Sequence, residues 1–359
     1  MSGTEFSSAA TCTLMAVERE AGGGAAPLDE PRLSAVAGTP ILETRGLTRH
    51  FRVGGLLSRK QLHAVDDVDL TIGAREIVAL VGESGSGKST IARLLARVYR
   101  PTSGQILYHG RSVSRLRTRR ERLEYAARLP MVFQDPYGSL SPVYRVSHGM
   151  ERALKLHQPH LTAAQRRHEA ERIFGAVGLS PAREFLGKFP YELSGGQRQR
   201  VGFAQALACR PALILADEPV SMLDVSVRIG VLNLMAQLRR ELGVSFLYIT
   251  HDIASARYVA DRLIVLYAGR IAEAGPTEEV LATPKHPYTQ LLLSAVPDPR
   301  AEVSLPASSA AAEPPRVIDP GEGCRFRARC PLAIARCSVE TPLMRPLAPA
   351  HEAACHVAT

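Results

Sequence analysis

No stretch of this 359-residue chain reaches the ~18 uninterrupted apolar residues expected of a membrane-spanning helix. Any role at a membrane is therefore expected to pass through a partner. The N-terminus has no charged segment followed by an apolar one, so no secretion leader is expected. Sustained heptads are missing, which argues against a long coiled coil. Cysteine is scarce: of six, four (Cys324, Cys330, Cys337 and Cys355) fall beyond residue 323. In a chain without an export signal such a cluster reads as metal binding rather than disulfides. Acidic residues are outnumbered, 35 against 44 Lys and Arg, for a formal charge of +9. Arginine scattered along a whole chain reads as solvated surface, so no nucleic-acid partner is expected.

What is present is organised around Gly82-Glu83-Ser84-Gly85-Ser86-Gly87-Lys88-Ser89-Thr90. The apolar run 76–81 precedes it and a helical pattern, 91–97, follows. Strand, glycine loop and helix form the context of a P-loop. The glycines let the backbone aim successive N–H groups at one anion, and the helix adds its positive end there. Lys88 is expected to reach the β- and γ-phosphates, and the Ser89 hydroxyl to ligate Mg²⁺. On its own the motif says only that a nucleoside triphosphate is bound.

Length suggests about two domains. Residues 1–39, rich in Ala, Gly, Ser and Pro, are expected to be a disordered extension; Met15 is a second possible start, and Cys12 is given no role. Extended segments at 41–53 and 62–72 predict a small antiparallel sheet, and 105–108 reads as another short strand. Ser114–Arg128 predicts an arginine-heavy helix, a solvated face or an anionic contact. A strand at 131–133 runs into Gln134, and 143–186 reads as helical insertion. Strands at 212–216, 244–250, 263–267 and 270–274 alternate with helices at 225–242 and 253–260. The alternation predicts an α/β fold with a parallel-sheet core. Gly82, Gln134, Asp217 and His251 all fall at strand C-termini, where open α/β sheets place ligands. The nucleotide-binding domain is expected over 40–297, its helical subdomain over about 135–205. A Pro- and Ala-rich linker, 298–323, leads to the cysteine segment 324–359.

Leu193-Ser194-Gly195-Gly196-Gln197 makes the reading more specific, because it resembles the signature motif of ABC-type ATPases. The order P-loop, Gln134, signature, Asp217-Glu218, Ser221–Asp224, His251 is similar to their nucleotide-binding domain over roughly 41–297. The resemblance implies a RecA-like P-loop NTPase with antiparallel β and helical subdomains. It also implies a head-to-tail dimer in which each ATP lies between one subunit's P-loop and the other's signature. Ser194, Gly195, Gly196 and Gln197 would then serve the partner's nucleotide. Asp217 suits Mg²⁺ directly or through water. Glu218, one residue on, suits a base for the attacking water, and Gln134 could bridge metal and water. His251 is similar to the histidine that contacts the γ-phosphate. Phe51 fits the aromatic that stacks on adenine, a core position being the alternative.

A narrower resemblance rests on His286-Pro-Tyr-Thr289, Leu291–Pro297, Gln134-Asp-Pro-Tyr137, Asp217-Glu-Pro-Val220 and the tail from Gly323 to His356. These resemble the ATPases of oligopeptide/dipeptide (peptide/opine/nickel) importers. The Gly54–Leu57 insertion and Asp135-Pro-Tyr point to the F-type subunit. The implied partners are a second ABC ATPase in a heterodimer, two transmembrane permeases and, indirectly, an extracytoplasmic solute-binding protein. The implied location is the cytoplasmic face of the membrane. Met222, where small residues are common, leaves an oligosaccharide open as the solute; nickel and opine are further alternatives within the group resembled. A soluble ABC-type ATPase acting on nucleic acid or ribosomes is the weaker alternative, since one P-loop and one signature are present. A catalytically dead cassette is opposed by Lys88, Glu218 and His251.

The cysteines are separated by five, six and seventeen residues. Four thiolates suit tetrahedral zinc or an iron–sulfur cluster, with packed reduced thiols as the plain alternative. The wide early spacing leans to the larger cluster, and the family resemblance points to [4Fe–4S]; His356 could replace one ligand. The tail is short, proline-rich and far in sequence from every nucleotide motif, so a structural role is expected.

Overall fold

The computed structural model describes residues 40–54, 59–135, 138, 140–294 and 317–358. The expected N-terminal extension, residues 55–57 of the insertion, Pro136, Tyr137 and residues 295–316 of the Pro-rich stretch lie outside the described residues.

Two sheets organise the chain. The first is antiparallel, built from β1 (Leu42–Arg52), β2 (Gln61–Ile72), β4 (Ser103–Tyr108) and β5 (Arg111–Ser112), in the order β2-β1-β4-β5. Leu42, Leu47, Val65, Val68 and Ile72 are buried on its inner face. Period-two alternation of this kind is what a sheet solvated on one side requires.

The second sheet carries the site. Its centre is β3 (Ile77–Val81), flanked by β8 (Ser245–Thr250), β7 (Leu213–Asp217) and the short β6 (Met131–Val132) on one side. On the other side lies β9 (Arg262–Tyr267). These five strands are mutually parallel. Every residue of β3, β7 and β8 is buried. That explains why they read as unbroken apolar runs: helices cover both faces. Each buried Val, Leu or Ile contributes roughly 1.5–3 kcal/mol relative to exposure.

The helical insertion is present as Val146–His157, Ala163–Ala176 and Ala182–Gly187, followed by Gly195–Ala208. Met150, Leu154, Ile173, Phe174 and Val177 bury its inner face. The expected helix at 114–128 is shorter. It begins at Arg119, after a 3₁₀ turn at Val113–Arg115, because Thr118 caps it and Glu121 completes a capping box. The strand at 131–133 stops at Val132, and Phe133 is exposed.

The end of the domain differs most from the sequence reading. After β10 (Arg270–Pro276), helices Thr277–Ala282 and Pro287–Ser294 pack on the core. The cysteine segment then adds β11 (Arg345–Ala348) and β12 (His351–Ala353) to the same sheet, whose full order is β11-β12-β10-β9-β3-β8-β7-β6. An uncovered β10 would present unpaired backbone groups, and β12 satisfies them. Glu273 on β10 is fully buried. It accepts hydrogen bonds from the Lys285 and His286 amides at 2.7 and 2.9 Å and lies 2.7 Å from His351 Nε2.

Candidate nucleotide site

The strand ends converge as their spacing suggests. Val81 of β3 leads into the glycine loop, Val132 of β6 towards Gln134, Asp217 of β7 into Glu218 and Thr250 of β8 into His251. A cavity of about 1030 Å³ is lined by Phe51, Gly82–Thr90, Gln134, Glu218 and His251. Two loop glycines are required by their neighbours. A Cβ on Gly82 would stand 2.2 Å from the Leu266 carbonyl oxygen, and one on Gly87 2.2 Å from that of Ala64; both have positive φ. The helix Lys88–Leu95 starts directly at the loop, so its first N–H groups face an incoming anion.

Lys88 is buried and its ammonium donates to the carbonyls of Gly82 and Glu83 at 2.7 and 2.8 Å. Burial pushes its pKa down, with Glu218 and Asp217 pulling the other way. The Ser89 hydroxyl donates to Asp217 Oδ1 at 2.8 Å. Burial raises the Asp217 carboxyl above its ordinary range, against the Ser89 hydrogen bond. A hydroxyl and a carboxylate so close are hard oxygen donors of the kind Mg²⁺ takes. Glu218 has φ of 47°, a left-handed conformation that turns it out of the strand. Its Oε2 accepts from the Gln134 amide at 3.2 Å and lies 3.3 Å from His251 Nδ1. One carboxylate thus faces an amide and an imidazole at the mouth of a phosphate-sized cradle.

Phe51 lies on β1 at the rim, edge-on to Tyr99 at 5.4 Å, with the Arg49 guanidinium 4.5 Å from its ring centre. It lines the cavity rather than the core. Val317 and Ile318, assigned to the linker by sequence, line the same side. They are held there because Val317 accepts the His63 amide and Asp319 pairs with Gln61 along β2.

The signature residues are elsewhere. Ser194, Gly195, Gly196 and Gln197 open the helix Gly195–Ala208 and do not line this cavity. Ser194 and Gln197 form a reciprocal capping box, Ser194 Oγ accepting from the Gln197 amide and Gln197 Oε1 from the Ser194 amide. A Cβ on Gly196 would stand 2.3 Å from Val227 Cγ1.

Cys324, Cys330, Cys337 and Cys355 are free thiols on one small unit. The Cys324 amide donates to the Cys337 carbonyl at 2.8 Å. Burial raises the Cys324 thiol, and the other three sulfurs are near enough to add to the effect. Among the described residues, the only trio of His, Cys, Asp or Glu with ligand atoms within 4.8 Å of one another is His50, His63 and Asp66. No three of the four sulfurs lie within 4.8 Å of one another. His356 turns its Nε2 to the Glu340 carbonyl at 2.9 Å. As for the trio, Arg270 and Arg325 already pair with Asp66; burial alone would raise that carboxyl, yet the two guanidiniums hold it down at about 2.

Sequence reasoning missed three residues that bear on the loop. The Glu83 amide donates to Tyr288 Oη at 2.9 Å, and both Glu83 carboxylate oxygens accept from the Arg329 guanidinium at 2.8 and 2.9 Å. The tail, remote in sequence, thus reaches the P-loop. Tyr288 belonged to a motif already singled out by resemblance; Arg329 carried no signal beyond its place between two cysteines.

Fold and site together define a P-loop nucleoside triphosphatase. Residues 65–221 match the ABC transporter family, and residues 272–337 match the oligopeptide/dipeptide transporter C-terminal region. A putative peptide import ATP-binding protein of Brucella ovis is 41% identical over 88% of this chain and 98% of its own. The oligopeptide transport ATP-binding protein AppF of Bacillus subtilis is 40% identical over 88% and 97%. Among solved structures, cbiO1 from Clostridium perfringens, part of an ABC transporter complex, superposes with a TM-score of 0.60 at 26% identity, over 68% of this chain and 92% of that one. An ATP-binding cassette dimer with ADP and phosphate gives 0.58 at 28%, over 66% and 98%. The chain belongs to the ABC transporter family, as an ATP-hydrolysing subunit that carries the oligopeptide/dipeptide transporter C-terminal region.

Proposed function

We propose that this cassette hydrolyses ATP to drive import of oligopeptides or dipeptides through a separate membrane permease. The observation that carries the reading is the division of its motifs. The phosphate loop, Gln134, Glu218 and His251 share one cavity, while Ser194–Gln197 are not among the residues that line it. A second cassette's signature is needed to complete such a site. In this scheme Lys88 and the loop amides hold the phosphates, Ser89 and Asp217 hold Mg²⁺, and Phe51 stacks on the base. Glu218 takes the proton of the attacking water, with Gln134 and His251 fixing its position. The named relatives and the C-terminal region favour peptide as solute over oligosaccharide, nickel or opine.

The partners are a second, different ATPase subunit and two permease subunits, with a solute-binding protein acting from the far side of the membrane. Among the described residues no helix is long and apolar enough to cross a membrane. We place the chain at the cytoplasmic face, held by the permease, as the importer reading implies. Exposed Phe133, Val143, Tyr144 and Tyr191, near the Gln134 loop and on the helical insertion, supply an apolar dock.

We read the four thiols as ligands of a [4Fe–4S] cluster, with zinc the alternative, since four thiolates suit either group. Such a cluster would tie together four points of a segment with little apolar core. Co-expression with candidate permease subunits tests the whole reading. Copurification with two multi-span subunits and ATP hydrolysis stimulated by peptide-loaded binding protein are expected. A cassette that associates with no permease, or whose turnover ignores peptide, would overturn it.

A further inference from the structure

We infer that Arg329, in the cysteine loop, is a positioning residue for ATP binding, acting through Glu83 of the P-loop. Glu83 is held at every polar group by a different part of the chain. Its amide donates to Tyr288 Oη, its carbonyl accepts from Lys88 Nζ, and its carboxylate takes a bidentate pair from Arg329. The pair is sheltered, with side-chain exposures of 8% for Arg329 and 23% for Glu83. Arg329 is itself set by aromatic packing. Its guanidinium lies 5.8 Å from the Phe326 ring and 5.9 Å from that of Tyr267, and those rings pack edge-to-face at 5.2 Å. Phe326 is buried between Cys324 and Cys330, so the loop that carries the thiols also carries the anchor.

Two consequences follow for nucleotide. Lys88 must leave the Gly82 and Glu83 carbonyls to reach a phosphate. The loop then keeps its shape through contacts that do not involve Lys88: the Ser86 amide on the Glu83 carbonyl at 3.2 Å, the Gly269 amide on the Ser86 carbonyl at 2.8 Å, and, from the C-terminal part of the chain, Tyr288 and Arg329. Preorganised donors bind an anion without the cost of ordering them. Secondly, the Glu83 carboxylate stands within a loop whose task is to attract phosphates. Bidentate pairing with Arg329 neutralises it; without that partner it repels the triphosphate.

The test is a double-mutant cycle on the full-length chain, read by Kd for a fluorescent ATP analogue with Mg²⁺ and by KM and kcat in the assembled transporter. R329M is expected to raise Kd and KM roughly three- to tenfold, the range of a sheltered charge pair, with kcat retained because Glu218 is untouched. Adding E83Q to R329M is expected to recover part of the affinity, since the repelling charge is gone. R329K, which keeps the charge but not the fork, is expected to fall between. A role limited to holding the tail together would not be rescued by E83Q. If R329M loosens the tail to protease, R329K and the R329K/E83Q pair carry the same comparison. Unchanged Kd in variants with an intact tail, or effects of the two sites that simply multiply, would overturn the inference. It rests on Gly82–Thr90 being the phosphate loop, and that premise fails separately, by the unmutated chain binding no nucleotide.

Discussion

His251 Nδ1 stands 3.3 Å from Glu218 Oε2, and the same oxygen accepts from the Gln134 amide. Three side chains from the ends of three adjacent strands thus meet at one carboxylate oxygen. None of them is part of the glycine loop, so under the proposed reading binding and hydrolysis should be separable.

E218Q keeps the shape and the Gln134 neighbour but removes the base. Nucleotide affinity should stay within about twofold while phosphate release in the assembled transporter falls by about 10²–10⁴, the usual worth of a positioned base. Single-turnover and equilibrium binding assays on the same preparation check both. Near-normal turnover would remove Glu218 from the mechanism. K88A, by contrast, should lose affinity as well.

A substitution in the signature should spare the chain's own site. Gly196→Asp is a poor probe, because any Cβ there collides with Val227 within the same chain. Ser194→Asp is cleaner: Asp caps a helix as well as Ser does, so folding stability should change by less than about 0.5 kcal/mol. It places a carboxylate where a partner's γ-phosphate is expected. ATP binding by the isolated chain should survive and ATP-driven dimerisation should be lost, as followed by light scattering. Loss of binding by the monomer itself would contradict a shared site.

His286 gives the fold an acid-side weakness. Burial holds its pKa at about 4, against 6.5 in an unfolded chain, and its Nδ1 accepts the Tyr288 amide at 2.9 Å. The folded state therefore prefers the neutral ring. The stabilisation is fully present above pH 6.5 and is lost as pH falls from there through 4, about 3 kcal/mol over the whole window. Urea midpoints measured from pH 7.5 to 4.5 should decline accordingly. His286→Asn, which retains an acceptor but does not titrate there, should flatten the decline. An unchanged slope would mean that other groups cause it.

Anaerobically purified protein should be brown and contain iron and sulfide. Cys330→Ser should lose the iron and expose the tail to protease. It should also weaken ATP binding, since Arg329 is the neighbouring residue and holds Glu83. Colourless protein with stoichiometric zinc, or with no metal under anaerobic handling, would eliminate the cluster.

The candidate site was legible because its residues sit at strand ends. There the period of the chain changes abruptly and glycine, Asp-Glu or His stands out after an apolar run. The central strands were legible for the same reason, being buried on both faces. What stayed hidden depends on contacts made across the chain. Val317 and Ile318 read as linker because nothing local shows that they run beside β2. The hairpin of β11 and β12 contains Pro346 and is too short to announce itself by alternation. Arg329 was one arginine among many on a basic chain, and only its bidentate geometry separates it from a solvated one. Phe133 reads as the end of a strand, whereas pairing with β7 ends at Val132.

The pairing of β12 with β10 also bears on the order in which the molecule can be completed during synthesis. The sheet that carries the P-loop strand has, at β10, an open edge with a buried glutamate on it until residues 351–353 arrive. A ribosome that has already made every nucleotide motif, from Gly82 to His251, must therefore add about a hundred further residues before that edge is closed. Once β10 has been made, an edge left open in this way is of the kind that pairs with other chains. Chaperone engagement is to be sought there, late in translation, rather than at the helical insertion that emerges first.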